Sequence, residues 1–328
     1  MNGTLTGHYS SVIQSKKSLW DGPMGNGHYR IACVGEAMVE LSLDRDGTTA
    51  RLGFAGDTLN TAIYLARERP GVHDVDFVTC LGTDSFSDRM IAFIESEDVS
   101  PRVVRHDSRL PGLYAISTDA DGERSFSYWR ENSAARTLFQ RAGADDFSIL
   151  DGCDAVYLSA ITLAILPPET RTALFDWIAA FRRQGGLFAF DSNYRPRLWE
   201  DAEAAQLYVS HAWRLCDIGL PSVDDEMALF GDRDEAAVLA RLEASGMRIG
   251  ALKRGADGPL PINADGTGAI GYPAAQTVVD TTAAGDSFNG AFLAVYLSGG
   301  SLDEAMLAGH KRAARVIGQR GAIVPKAG

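Results

Sequence analysis

The run Asp280-Thr281-Thr282-Ala283-Ala284-Gly285-Asp286-Ser287-Phe288-Asn289-Gly290 holds the residues of this chain best suited by type and spacing to do chemistry. Behind it Phe288, Ala291, Phe292 and Val295 recur at helical spacing, and Gly299-Gly300 supplies a stop. A buried helix therefore opens on small residues. With Ala283, Ala284 and Gly285 at its mouth, the first N–H groups are uncovered and can converge on an anion, aided by the helix dipole. Asp286 falls in the first turn, beside that anion. A carboxylate next to a simple phosphate store would repel it. The pairing makes sense if the carboxylate takes a proton from a hydroxyl while the N–H groups stabilise charge on a transferring phosphoryl group. Taken alone, the segment fits equally well a helix that Asp286 merely caps.

Such groups need elements that hold them. Ile31–Gly35, Phe77–Leu81, Ala155–Ala160, Leu187–Asp191, Ile218–Pro221 and Ile249–Lys253 are apolar runs too short for helices and bounded by Gly, Asp or Pro, and they predict buried strands. Helical patterns lie between them, one starting near Thr58, one over Phe86–Glu95, and others after Pro168, Asp234 and Asp303. This alternation predicts an α/β fold with a mostly parallel central sheet flanked by helices. Residues 40–53 and 113–130 alternate in the β manner with no helix to cover them, around an Asp121-Gly122 turn, and predict a small β-stranded lid. Residues 1–30 show no periodicity and are expected to be a flexible leader, which leaves 31–328 as one domain.

Composition narrows the partners. The net charge of −12 argues against a nucleic-acid backbone or an anionic membrane, and no apolar run is long enough to span a bilayer. Cys33, Cys80, Cys153 and Cys216 stand singly in apolar stretches and are read as reduced core thiols, which with the lack of a secretory signal implies the cytoplasm. The six histidines show no metal-ligand spacing. No G-x-x-x-x-G-K-[ST] loop is present.

The Asp280–Asp286 run resembles the Asp-Thr-x-Gly-Ala-Gly-Asp motif of the ribokinase-like (PfkB) carbohydrate kinases, and Phe54-Ala55-Gly56-Asp57-Thr58-Leu59-Asn60-Thr61-Ala62 resembles their sugar-binding motif. The likeness runs from about Ile31 to Pro325 and implies the ribokinase-like fold, Asp286 as general base, and ATP with Mg²⁺ as cofactors, with a monovalent cation left open. Ala283 replaces the first Gly of the Gly-Ala-Gly-Asp motif and is expected to be tolerated at negative φ. Lys253-Arg254-Gly255-Ala256-Asp257-Gly258 resembles the nucleotide loop, so Lys253, Gly255 and Gly258 are expected at ATP with Asn193, Ser222, Ala283 and Gly285. Ser222 stands in the Asn position of the family's Asn-x-x-Glu motif, and Asp225 or Glu226 would serve Mg²⁺ through water.

Gly56, Asp57, Asn60, Tyr114, Tyr128, Arg130 and Arg195 are expected around the sugar. Two arginines beside two tyrosines suit a carboxylate-bearing substrate, because Arg makes paired charge-assisted bonds to it. Tyr128-Trp129-Arg130 and Asn193-Tyr194-Arg195 resemble the branch of the family acting on 2-keto-3-deoxygluconate, which implies transfer to the 6-hydroxyl. Fructose is the alternative substrate, since Arg195 is shared with fructokinases, and a non-catalytic sugar sensor is the reading from another class. Exposed lid strands would also allow a homodimer.

Overall fold

In the computed structural model, residues 27–44, 47–118, 124–141, 144–264 and 271–326 are described. The chain runs β1 (Arg30–Val34), β2 (Met38–Leu43), β3 (Ala50–Ala55), α1 (Asp57–Glu68), β4 (Asp74–Leu81), α2 (Ser85–Ser96), β5 (Ser100–Arg105), β6 (Gly112–Thr118) and β7 (Arg124–Trp129). It continues through β8 (Gln140–Arg141), β9 (Ala144–Asp145), β10 (Ala155–Ser159), α3 (Ala160–Ile165), α4 (Pro168–Arg183), β11 (Leu187–Asp191) and α5 (Ala202–Leu215). The rest is β12 (Ile218–Gly219), α6 (Val223–Phe230), α7 (Glu235–Ala244), β13 (Ile249–Leu252), β14 (Leu260–Ile262), α8 (Ala284–Leu297) and α9 (Leu302–Val316).

Eight strands form the central sheet in the order β14-β13-β12-β11-β10-β1-β4-β5, parallel except for the edge strand β14. Both faces are buried, as the continuous apolar runs require. Along β1, Ile31 and Cys33 enter one core with Phe77, Tyr157 and Phe292, while Ala32 and Val34 enter the other with Phe188, Phe190 and Trp213. The four cysteines are free and buried. Among the described residues no helix is long and apolar enough to cross a membrane.

A second sheet, β3-β2-β6-β7, is formed by the stretches expected to make the lid, with β2 antiparallel to β3, parallel to β6, and β6 antiparallel to β7. The Asp121-Gly122 turn lies outside the described residues. Several boundaries differ from expectation. The fold begins inside the predicted leader: the Arg30 guanidinium bonds Asp76 at 2.8 Å, and the His28 ring bonds the Val72 carbonyl at 2.7 Å. Ala160, expected to end a strand, instead opens α3, because the Ser159 side chain caps the helix. β5 was not expected, since its polar alternation, Arg102 and Arg105 included, hides a strand that pairs with β4 along one edge only. The helices α5 and α6 were not expected either, although Asp201 caps the first of them.

Candidate active site

The site rests on the crossing of α1 and α8. A Cβ at Gly290 would lie 2.6 Å from the Thr61 carbonyl oxygen and 2.7 Å from the Leu65 nitrogen, so only glycine lets the two backbones approach this closely. That approach brings the Asn60 amide to Asp286, to which it donates at 2.8 Å. The carboxyl of Asp286 is raised to about 8, first by burial, then by the nearby charge of Asp57, with Asp191 adding to the effect. Asn60 and Lys253 pull the other way. A base tuned toward neutral pH is what proton removal from an alcohol requires.

Behind Asp286 a polar network fixes the floor. Asn289 donates to Asp191 at 2.7 Å and to the Tyr157 hydroxyl at 3.0 Å, and Lys253 Nζ reaches Asp191 at 2.9 Å and Asn289 at 3.1 Å. The ammonium would lie 3.5 Å from a Cβ at Gly285, which sets a cation beside the helix mouth.

That mouth differs from expectation in two ways. Ala283 adopts φ 60°, ψ 18°, the left-handed region, not negative φ. The cause is a β-turn closed by the Ala284 N–H on the Thr281 carbonyl at 3.2 Å, whose third position favours glycine. The same bond occupies the Ala284 N–H. Among the described residues, the N–H groups of Ala283 and Gly285 have no acceptor in the protein and remain to receive an anion. The hole therefore has two of its three expected donors. Asp280 braces the turn by accepting from the Thr282 N–H at 3.0 Å and the Gly321 N–H at 2.7 Å. Against the effect of burial, those bonds and the charge of Arg124 hold the Asp280 carboxyl below its ordinary value.

A cleft of about 1070 Å³ lies over this floor, with Asp286, Ala283, Lys253, Asp57 and the lid residues Tyr114 and Tyr128 in its walls. That volume lies at the upper end of the ~300–1,000 Å³ usual for ligand pockets. At the nucleotide end Gly255 (φ 57°) and Ser222 line the cleft. Gly258 does not. Its Cβ position would fall 2.2 Å from the Tyr272 ring, so that glycine serves packing. Asp225 faces the cleft, bonded by the Ser222 hydroxyl at 2.7 Å, and burial raises its carboxyl. Glu226 is fully buried against Arg241 at 2.9 Å, and burial raises its carboxyl to about 7. Asp225 is thus the carboxylate of this pair open to a metal.

At the sugar end Gly56 and Asp57 lie on the cleft wall, but Asp57 Oδ2 is already bonded by Ser159 and by Asn193 at 2.9 Å. Asn193, expected at the nucleotide, thus donates to a residue expected at the sugar. The Tyr114 hydroxyl donates to Glu40 within the same sheet, and the Tyr128 ring lies tilted beside it at 5.7 Å. Arg130 is buried and ion-paired to Glu36. Arg195 is half-exposed on the rim, with Nη1 bonded to the Tyr194 carbonyl at 2.7 Å and 3.3 Å from Asp225. The two arginines therefore do not converge in this state. Glu36, which was given no role from the sequence, holds Arg130 from the end of β1. Its place after the strand ending at Val34 was the available signal.

A buried carboxylate beside free backbone N–H groups on a cleft floor suits phosphoryl transfer, and the pfkB family carbohydrate kinase model matches residues 29–327. The chain belongs to the pfkB family of carbohydrate kinases. It is similar to the 2-dehydro-3-deoxygluconokinase of Dickeya dadantii, 45% identical over 90% of this chain and 96% of that one. The Escherichia coli K12 protein of the same name is 43% identical over 90% and 97%. Among solved structures, the PfkB protein of Polaromonas sp. JS666 superposes with a TM-score of 0.78 at 26% identity, covering 91% of this chain and 97% of that one. This pfkB kinase therefore has the ribokinase-like fold and is an ATP-dependent carbohydrate kinase, of a family that works with Mg²⁺.

Proposed function

We propose that this kinase phosphorylates 2-keto-3-deoxygluconate on its 6-hydroxyl, giving 2-keto-3-deoxy-6-phosphogluconate and ADP. The observation that carries the chemistry is Asp286, held by Asn60 on the cleft floor beside the free Ala283 and Gly285 N–H groups. The choice of sugar acid is supported by Arg130 and Arg195 in the cleft wall and by the kinship to proteins named 2-dehydro-3-deoxygluconokinase.

The sugar acid lies between Gly56-Asp57 and the lid, its carboxylate on the edge of Arg130 that Glu36 leaves open, with Arg195 swinging in from the rim. Asp286 takes the proton of the 6-hydroxyl. The oxygen bonds to the γ-phosphorus as the bond from phosphorus to the β–γ bridging oxygen breaks, and ADP leaves. The N–H groups of Ala283 and Gly285, with Lys253 alongside, meet the charge that builds on the transferring group. Tyr114 and Tyr128 cover the sugar and keep out water that would otherwise accept the phosphoryl group.

Among the described residues no three His, Cys, Asp or Glu side chains gather to hold a metal. Asp225, acting through water, with the nucleotide's own phosphate oxygens, fits Mg²⁺, which keeps several waters. Bound Mg²⁺ would neutralise phosphate charge and orient the triphosphate. Four reduced, buried thiols support a cytoplasmic setting. A homodimer through the lid is supported by the edge strand β7, where Phe126, Tyr128 and Trp129 are 40%, 49% and 59% exposed.

A coupled ADP-release assay with 2-keto-3-deoxygluconate beside fructose and ribose tests the substrate. The sugar acid should give the highest kcat/KM. Preference for fructose would overturn the choice of sugar, and absence of sugar-dependent ADP formation would overturn the catalytic reading in favour of a sugar sensor.

A further inference from the structure

One side chain of the lid crosses to the loop that shapes the helix mouth. Arg124, the first residue of β7, ion-pairs with Asp280 and bonds the Thr282 hydroxyl at 3.1 Å. Asp280 is nearly closed to solvent, and among the described residues Arg124 is its one ion-pair partner. The carboxylate also holds the Thr282 N–H, and the Thr281–Ala284 turn follows directly. That turn sets Ala283 in its left-handed conformation and aims the free N–H groups of the hole. Arg124 is absent from the cleft wall.

A buried carboxylate that loses its only cation is costly, and it re-forms its hydrogen bonds in response. Movement of the lid away from the cleft would leave Asp280 in that condition. Asp280 would then hold Thr282 differently, and the turn would shift with it. Conversely, seating the lid over a bound sugar supplies the guanidinium. We propose that Arg124 is a positioning residue that couples the seating of the lid to formation of the anion hole, so that phosphoryl transfer is fully supported only with an acceptor covered. The coupling rests on the kinase reading above, but not on which sugar is the acceptor.

The test is steady-state kinetics of Arg124→Gln and Arg124→Lys, using whichever sugar of the panel the unaltered enzyme phosphorylates best. Failure of the sugar-acid reading therefore leaves this test intact. Arg124→Gln should lower kcat about tenfold or more while leaving KM for sugar and for Mg·ATP within about threefold, because the side chain lies outside the cleft wall. Arg124→Lys, which keeps the charge but loses the fork, should recover part of the loss. Asp280→Asn should also lower kcat, and the double variant Arg124→Gln/Asp280→Asn should be no worse than Asp280→Asn alone, since both remove one interaction. A kcat for Arg124→Gln within twofold of the unaltered enzyme, no recovery by Lys, or losses that multiply in the double variant would each overturn the coupling.

Discussion

On the cleft floor, Asn60, Asn289, Asp191, Tyr157 and Lys253 are bonded to one another or to Asp286, deep between α1, α8 and the central sheet. At the sugar end the contacts come from an edge strand and a rim: most of β7 is exposed, and Arg195 is 53% open to solvent. Groups that perform the proton and phosphoryl steps must be held within tenths of an ångström, which a packed helix crossing provides. Groups that choose the acceptor can sit on an edge strand and on exposed side chains. This division predicts that floor variants lower turnover on every sugar alike, whereas variants of the lid and rim residues that line the cleft, such as Arg130 and Arg195, discriminate between sugars.

The largest effect should come from Asp286→Asn. It should cut kcat by about 10² or more on every accepted sugar and leave both affinities within a few-fold. Near-normal turnover would remove Asp286 as base. In the unaltered free enzyme kcat/KM should climb about tenfold per pH unit up to about 8, because the base must be unprotonated. Stability runs the other way. The folded-state pKa lies above the ordinary value of 3.8, so the stabilising contribution of the protonated group is complete at low pH and is lost as pH rises toward about 8. Asn mimics the protonated acid, so the thermal midpoint of Asp286→Asn should exceed that of the unaltered protein at pH 8 and match it near pH 4.

Arg130→Ala probes the other end. It removes a charge-assisted bond to the sugar's carboxylate, a loss of about tenfold to a hundredfold in kcat/KM for the sugar acid. Fructose, without that carboxylate, should suffer much less. Equal losses on both sugars would mean that Arg130 serves mainly to neutralise Glu36, its buried partner.

Much of the floor was legible in the sequence, because it is made of backbone and short side chains at fixed spacing. Asn60, Asp286 and the small residues of the helix mouth stand in contiguous runs, and their periodicity alone places them on α1 and α8. What the sequence could not convey was which donors and acceptors are consumed internally. The Ala284 N–H goes to Thr281, Asp57 Oδ2 to Ser159 and Asn193, and Arg130 to Glu36 across 94 positions. Such pairings depend on three-dimensional register, not on spacing. Gly258 shows the same limit. Its motif position suggested phosphate, but the Tyr272 ring that needs its missing Cβ lies in another segment.

Gly290→Ala should show that the floor depends on the helix crossing itself. The added methyl meets backbone atoms of α1, which cannot yield as a side chain would, so about 1–3 kcal/mol of stability should be lost in denaturant unfolding. Asn60 would move from Asp286 as the helices part, so kcat should fall as well, on all sugars equally. A variant that loses stability while keeping full turnover would uncouple the crossing from the chemistry.

Ala283→Gly should have the smallest effect and the opposite sign. A left-handed φ costs an L-residue about 1–2 kcal/mol, while glycine adopts it freely but gives back part of that gain through the entropy of the unfolded chain. The net should be a stabilisation of about 1 kcal/mol or less, read as a rise of roughly 1–3 °C in Tm. Because the N–H at this position belongs to the backbone, the hole survives the change, and kcat should stay within about twofold. A fall in Tm would mean that the Ala283 methyl makes packing contacts worth more than its strain. Ala283 packs beside the lid-facing cluster of Met38, Tyr114 and Ala322, so such a result would tie the helix mouth to the lid by a second route.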